Sequence, residues 1–110
     1  MARRLGAARR AFGEVVDFMV TQSRAAPNAV YAGSVPYLML AGTTLAGWQM
    51  ARALMAAEDR LAAGDDAAFL QAKIATCRFH GDHLLTRVPG WRDAIVDGAD
   101  SVAAMALEAF

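Results

Sequence analysis

The sequence feature that most constrains this chain is a long stretch without charge. No charged side chain occurs between Arg24 and Arg52, and apolar or small residues fill nearly every position of Ala29–Ala57. A helix made of such residues would be hydrophobic on every side. It is therefore either the buried central helix of a bundle or a segment that spans a membrane.

Polar and helix-breaking residues inside this window favour the buried helix. They are Pro27, Asn28, Ser34, Pro36, Thr43, Thr44 and Gln49. Arg52 follows before the apolar run is long enough to clear a bilayer, and an amphipathic pattern then continues to Leu61. We therefore expect no membrane association. We expect one long helix over residues 28–63, capped by Asn28 and kinked or restarted near Pro36, which lacks a backbone N–H.

Apolar residues at three- and four-residue steps predict two further main helices, over residues 3–24 and about Asp66–Val88. The inward stripe of the first is Leu5, Ala8, Phe12, Val15 and Met19. The inward stripe of the other is Leu70, Ile74, Cys77, Gly81, Leu84 and Val88. Pro89-Gly90 is expected to interrupt that helix. A short helix over about Trp91–Asp97 and a last turn toward Phe110 follow.

The clearest turn signal lies between the second and third main helices. Gly64 can adopt the left-handed conformation that ends a helix, and Asp65 or Asp66 can cap the next one. Such a short connection joins antiparallel neighbours. The pattern therefore predicts an all-α protein, an up-and-down antiparallel helical bundle of three main helices plus a short C-terminal helix. Residues 1–110 are expected to form a single domain.

The charge balance and the cysteine content narrow the function classes. Lys and Arg total 11, as do Asp and Glu, so the chain is neutral and nucleic acid is not an expected partner. The single cysteine, Cys77, cannot form an internal disulfide, which favours a reducing, cytoplasmic compartment. The Arg-rich start resembles a transit peptide in composition. Its apolar spacing continues past Glu14 and Asp17, so we interpret it as a surface helix.

The search for catalytic or metal-binding chemistry centres on Cys77, His80 and His83. Their spacing of three residues spreads them over about 120° of a helix surface. Zinc sites usually take ligands that converge from two elements, and the chain has no other Cys or His. A Cys–His nucleophile would also need an oxyanion site. We assign no catalytic, cofactor-binding or metal-binding residue. Cys77 is interpreted as a buried thiol, and the histidines as surface residues or as partners of a neighbour.

The acidic residues and the tryptophans also have structural interpretations. Four carboxylates fall on polar helix faces and are expected to be solvated: Glu14, Asp17, Glu58 and Asp59. Trp48 and Trp91 are interpreted as core anchors rather than as platforms for a ligand.

Three stretches taken together resemble a known family. They are VPYLxLxGT leading to GW over residues 35–48, FxxAKxATxRFxxxHLL over residues 69–85, and GADSV with the closing EAF at residues 98–102 and 108–110. They are similar to the extra C-terminal helical domain of the long acyl-CoA dehydrogenases, described as acetyl-CoA dehydrogenase-like. The 3-methylmercaptopropionyl-CoA dehydrogenase type is one member. His80 departs from the family pattern, which usually has an aromatic residue there.

The resemblance implies a module of a flavoenzyme that desaturates acyl-CoA thioesters by α-proton abstraction and hydride transfer to FAD. In that family the flavin site and the carboxylate base lie in upstream domains, so no such residue is carried over to this chain. The implied partners are the dehydrogenase core domains or a second copy of the chain in a homo-oligomer. An alternative is a free-standing helical protein that binds acyl groups or CoA between its helices, or that associates with itself.

The central helix gives this resemblance a structural consequence. Its first half is apolar on all sides, and three helices are not expected to cover it completely. An exposed apolar patch around Tyr37, Leu38 and Leu45 would mark the place of the dehydrogenase core or of a second copy. Complete burial of these residues within one chain would count against that interpretation.

Overall fold

The uncharged stretch is helical but divides into two helices. The computed structural model describes all residues from 1 to 110 and contains six α-helices. In chain order, α1 to α6 are Ala2–Ala25, Pro27–Ala32, Ser34–Ala62, Ala67–Phe79, Val88–Val96 and Ala99–Val102. The remaining elements are a π-helix and two 3-10 turns, at His80–Leu84, Leu85–Arg87 and Leu107–Ala109. The structure has no strand, so the all-α prediction is confirmed, with α1, α3 and α4 as the main helices.

The main core is enclosed by α1, the first half of α3 and α5. Its buried apolar side chains are Ala8, Ala11, Val15, Leu40, Leu85, Val88 and Ile95. In α1, Ala8 and Val15 belong to the predicted inward stripe, on which Leu5, Phe12 and Met19 are partly buried, whereas Ala11 is buried beside it. The periodicity of the sequence therefore identified the correct side of α1.

An ion-pair cluster holds α5 against α1 at the edge of this core. The Arg92 guanidinium donates hydrogen bonds to Glu14 of α1 at 2.6 Å, and to Asp93 and Asp97 at 2.9 and 2.7 Å. The hydrogen bonds to Asp93 and to Glu14 raise the pKa of Arg92, because they stabilise its charged form. Glu14 is thus exposed, as predicted, but it is ion-paired as well as solvated.

The predicted break near Pro36 occurs at Gly33, which separates α2 from α3. Pro36 lies in the first turn of α3, where a missing backbone N–H removes no helical hydrogen bond. Gly33 is buried, and an added Cβ there would lie 3.1 Å from Ile95 Cγ2, so the break brings the backbone close to α5. The predicted cap at Asn28 is wrong, because α2 already begins at Pro27 and no side chain caps it.

The turn between α3 and α4 has the predicted chemistry. Gly64 has a φ of +86°, in the left-handed region. The Asp66 carboxylate accepts a hydrogen bond from the backbone N–H of Phe69 at 3.2 Å and so caps α4. Asp65 instead pairs with Arg60 at 2.9 Å. This short connection makes α3 and α4 antiparallel neighbours.

The third main helix ends earlier than predicted. α4 stops at Phe79, and α5 begins at Val88, so Pro89-Gly90 lie in the first turn of a helix rather than interrupt one. The physical reason is that proline is tolerated only where no N–H is needed, so the regular helix breaks on the N-terminal side of Pro89. The last turn that was predicted toward Phe110 is not continuous, because α6 ends at Val102 and the next 3-10 turn begins at Leu107. Residues 101–110 are all exposed.

The second half of α3 and α4 form a two-helix arm beyond the three-helix core. The molecule measures 67 × 27 × 17 Å, and its radius of gyration is 18.4 Å. A compact domain of this length would have a radius of gyration of about 13 Å. The chain is therefore elongated and leaves long helix faces uncovered. None of its helices combines the length and the hydrophobicity needed to cross a membrane.

Candidate interaction surface

The first half of α3 presents an apolar face to solvent. Leu38, Leu45 and Trp48 lie along one side of the helix and are 70%, 54% and 51% exposed. Tyr37 is half-buried, with its ring centroid 6.2 Å from that of Phe12. The exposed patch that the sequence predicted is therefore present at Leu38 and Leu45. It extends toward Trp48 rather than toward Tyr37.

Between α1 and α3 this apolar region deepens into a crease of about 240 Å³. The crease is lined by Leu5, Arg9, Phe12, Thr44, Leu45 and Trp48. The Thr44 hydroxyl donates to the carbonyl oxygen of Leu40 at 2.8 Å, so it has no unmet need for a polar partner. Apolar side chains of a partner can therefore fill the crease without leaving this hydroxyl buried and without a hydrogen-bond partner. We name Leu38, Leu45, Trp48 and this crease together the α1–α3 face.

Two arginines border the α1–α3 face. Arg9 lines the crease, and the guanidinium carbon of Arg52 lies 5.4 Å from the ring centroid of Trp48, within cation–π range. Neither arginine takes part in the ion pairs of the chain. The face therefore suits a partner that presents apolar side chains beside carboxylates.

Trp48 does not anchor the core, so that prediction is wrong. The inward positions of this part of α3 belong to Thr44 and Gly47. An added Cβ at Gly47 would lie 2.6 Å from Leu85 Cδ2, which shows that Leu85 already fills the space beneath the helix. Trp91 is partly buried and packs against the core, as predicted.

The three residues considered for chemistry contact different groups. Cys77 is fully buried, and its Sγ lies 3.9 Å from Met50 Sδ. His80 is buried with its Nε2 3.3 Å from the carbonyl oxygen of Thr43, to which the ring donates. His83 is exposed. Cys77 therefore packs against α3 and His80 is hydrogen-bonded to it, and the structure contains no group of three His, Cys, Asp or Glu residues that could hold a metal ion.

The π-helix at His80–Leu84 is the local feature that the sequence analysis missed. It places His80 against α3 and Gly81 against Met1 at the start of the chain, at the joint between the arm and the core. An added Cβ at Gly81 would lie 3.2 Å from Met1 Sδ, so this glycine lets the start of the chain pack closely against the π-helix. Pro89 could have predicted an irregular segment here, because the helix that precedes a proline loses regular hydrogen bonds.

Comparison with known proteins agrees with this architecture. The family model described as acetyl-CoA dehydrogenase C-terminal like matches residues 1–106. A 3-methylmercaptopropionyl-CoA dehydrogenase from Ruegeria pomeroyi is 42% identical over 107 residues, which cover 97% of this chain and 18% of the relative. The chain thus spans less than a fifth of the length of that dehydrogenase. No solved structure gives a significant match. This chain therefore belongs to the acetyl-CoA dehydrogenase C-terminal-like family.

Proposed function

We propose that this chain is a non-catalytic C-terminal helical module of an FAD-dependent acyl-CoA dehydrogenase. Residues 1–110 act as one unit in the cytoplasm and pack against the core domains of the enzyme. The observation that carries the proposal is that the chain corresponds to only 18% of a dehydrogenase to which it is 42% identical. In the family, FAD and the catalytic carboxylate belong to upstream domains, so no residue of this chain is assigned to either.

The α1–α3 face is the surface that we assign to the dehydrogenase core. Leu38, Leu45 and Trp48 are each at least half exposed, and complete burial of one large apolar side chain is worth about 1.5–3 kcal/mol. Apolar patches of this kind usually mark interaction sites. Arg9 and Arg52 at the border add selectivity for a partner surface that carries carboxylates.

The elongated shape supports the same proposal. A helix that is apolar on all sides needs neighbours on all sides, and the first half of α3 leaves Leu38, Leu45 and Trp48 uncovered. The radius of gyration of 18.4 Å reflects this incomplete packing. A dehydrogenase core on the α1–α3 face would supply the missing neighbour.

Binding to a separately produced dehydrogenase core tests the proposal. The core is that of the 42% identical relative, truncated before its own C-terminal module, and binding is measured by isothermal titration calorimetry. We expect saturable binding with the negative heat-capacity change that accompanies apolar burial. Leu45→Arg should weaken binding by about tenfold or more, because it places a charge in the middle of the contact.

Phe69→Arg is the matched control for this experiment. It introduces the same charge at an apolar residue of α4 that is 62% exposed but lies away from the α1–α3 face. We expect it to leave the affinity for the core unchanged. Equal losses in the two variants, or a native chain that does not bind the core, would contradict the proposal.

A further inference from the structure

A groove of about 540 Å³ runs along one side of the arm, between α4 and the second half of α3. Its apolar lining consists of Leu61 and Ala62 on α3 and of Ile74 and Ala75 on α4. Leu61 and Ile74 are half-buried, whereas both alanines are exposed. We name this feature the arm groove.

The α4 wall of the arm groove continues the surface on which α1 begins. Ile74, Arg78 and Asp82 follow one another at four-residue steps, so they lie along one side of the helix. At the end of this row, the Asp82 carboxylate accepts a hydrogen bond from Arg4 of α1 at 3.3 Å. The first turn of α1 and the arm groove therefore share one wall.

The α3 wall continues in the same way. Thr44 lines the crease beside Leu5 and Phe12 of α1. Ala51 and Glu58 follow Thr44 at seven-residue steps, which are about two turns each, so the three residues lie on one side of α3. Glu58 lines the arm groove. The arm groove is therefore an extension of the seat in which α1 lies.

This seat is longer than α1. The two helices α1 and α3 are antiparallel, because Phe12 lies beside Tyr37 and Leu5 shares the crease with Trp48. Since α1 begins about one turn before Leu5, it reaches about one turn beyond Trp48. From that level α3 continues to Ala62 for about 15 Å, or about three helical turns.

We propose that the arm groove receives a helix of the dehydrogenase core, placed end to end with α1. The inference rests on the proposed function and names an element of the partner. α1 already packs as a helix along the same two walls, against α3 and the π-helix, so continuity with this packing specifies a helical occupant. A concave groove does not complement itself, which favours a different element over a second copy of the chain.

The charges of the arm groove specify which side of that helix enters it. Glu58 and Arg78 pair across the groove at 3.0 Å, so each charge at its rim already has a partner. The occupant therefore needs no charge of its own there. Ala62 and Ala75 have short side chains that allow a backbone to approach closely. We expect a core helix that turns small and apolar residues, at three- and four-residue steps, toward Leu61 and Ile74.

Calorimetric binding of the full 110-residue chain to the truncated core of the 42% identical relative tests the inference. Ala75→Trp places a large ring in the groove, and we expect the Kd for the core to rise about tenfold or more. Thr76→Trp is the matched control. It introduces the same ring at the next residue, which is also exposed but does not line the groove, and the Kd should stay unchanged. Circular dichroism verifies that both variants keep their helix content.

Photo-cross-linking tests the end-to-end arrangement. Ala2→Cys and Gln71→Cys are labelled separately with a benzophenone maleimide and irradiated in complex with the core, while Cys77 is buried and does not compete. Ala2 lies at the start of α1, and Gln71 lines the arm groove. Mass spectrometry should place both cross-links on one helical segment of the core, with that from position 2 at the end nearer α1.

Three outcomes would overturn the inference: an Ala75→Trp variant that binds as tightly as the native chain, equal losses in Ala75→Trp and Thr76→Trp, or cross-links that fall on a second copy or on no common segment of the core. If Leu45→Arg weakens core binding while Ala75→Trp does not, the proposed function stands and the inference about the arm groove falls. A native chain that does not bind the core overturns both.

Discussion

Gly47→Ala should destabilise the fold, although alanine is a better helix former than glycine. Gly47 is buried in the middle of α3, and an added Cβ would lie 2.6 Å from Leu85 Cδ2 and 3.1 Å from Leu85 Cδ1. Leu85 is only 1% exposed and belongs to the main core. It cannot turn aside into solvent, so packed core atoms must move to relieve the clash.

The magnitude follows from two opposing contributions. Alanine in place of glycine inside a helix stabilises by about 1 kcal/mol. An additional carbon atom in a filled core costs about 1–3 kcal/mol, and a contact of 2.6 Å belongs to the upper part of that range. The net loss in the free energy of unfolding should be about 1–2 kcal/mol. The Tm should therefore fall by about 4–8 °C.

Gly42→Ala in the same helix is the control. Gly42 is exposed, and no atom lies within 4 Å of the position that its Cβ would take, so only the helix-propensity gain of about 1 kcal/mol remains. Thermal and urea unfolding, followed by circular dichroism, measure both variants. In a Leu85→Ala background the clash disappears, and Gly47→Ala should no longer destabilise. Equal stabilisation by Gly42→Ala and Gly47→Ala would refute the reasoning.

The purified chain should show no visible flavin absorbance and no thermal stabilisation by acyl-CoA of any chain length. A stabilisation near 2.7 kcal/mol at a ligand concentration of about 100 times Kd would support a free-standing acyl-binding protein instead. Asp66→Ala should lower the free energy of unfolding by about 1 kcal/mol in urea titrations, because it removes the cap on the N–H of Phe69. Asp65→Ala, which removes only an exposed ion pair, should cost less, and equal losses would argue against the cap. Cys77 is fully buried, so a thiol reagent should modify it only as the chain opens, and immediate modification of the native protein would be inconsistent with that burial.

Features that depend on a few neighbouring residues were predictable from the sequence. The left-handed Gly64 and the cap at Asp66 are examples, because both depend on backbone conformation and hydrogen bonds within one turn. The inward stripe of α1 was predictable for a related reason, since residues three and four apart share one side of a helix. These features needed no knowledge of what lies across the core.

The joint between α4 and α5 depends on contacts that are distant in sequence. Pro89 requires the helix to break somewhere before it, but does not determine where. The close approach of Met1 to Gly81 and the hydrogen bond from His80 to Thr43 accompany the break at the π-helix. These contacts join the π-helix to the start of the chain and to α3, so no window of sequence around residue 80 contains them.

Apolar periodicity failed in a more informative way at Trp48. The pattern indicates that a side chain should be buried, but it does not say whether the same chain supplies the cover. Trp48 and Leu45 on α3, and Phe69 and Phe79 on α4, all have helical apolar spacing, yet each is at least half exposed. If one partner covered all of them, they would lie on one surface.

They lie instead on two, because Phe69 and Phe79 are exposed on α4 whereas the α1–α3 face lies on the side of α3 away from α4. A single flat partner cannot cover both surfaces. Substitutions at Leu45 and at Phe69 should therefore have separate effects, and only the first should weaken binding to the dehydrogenase core.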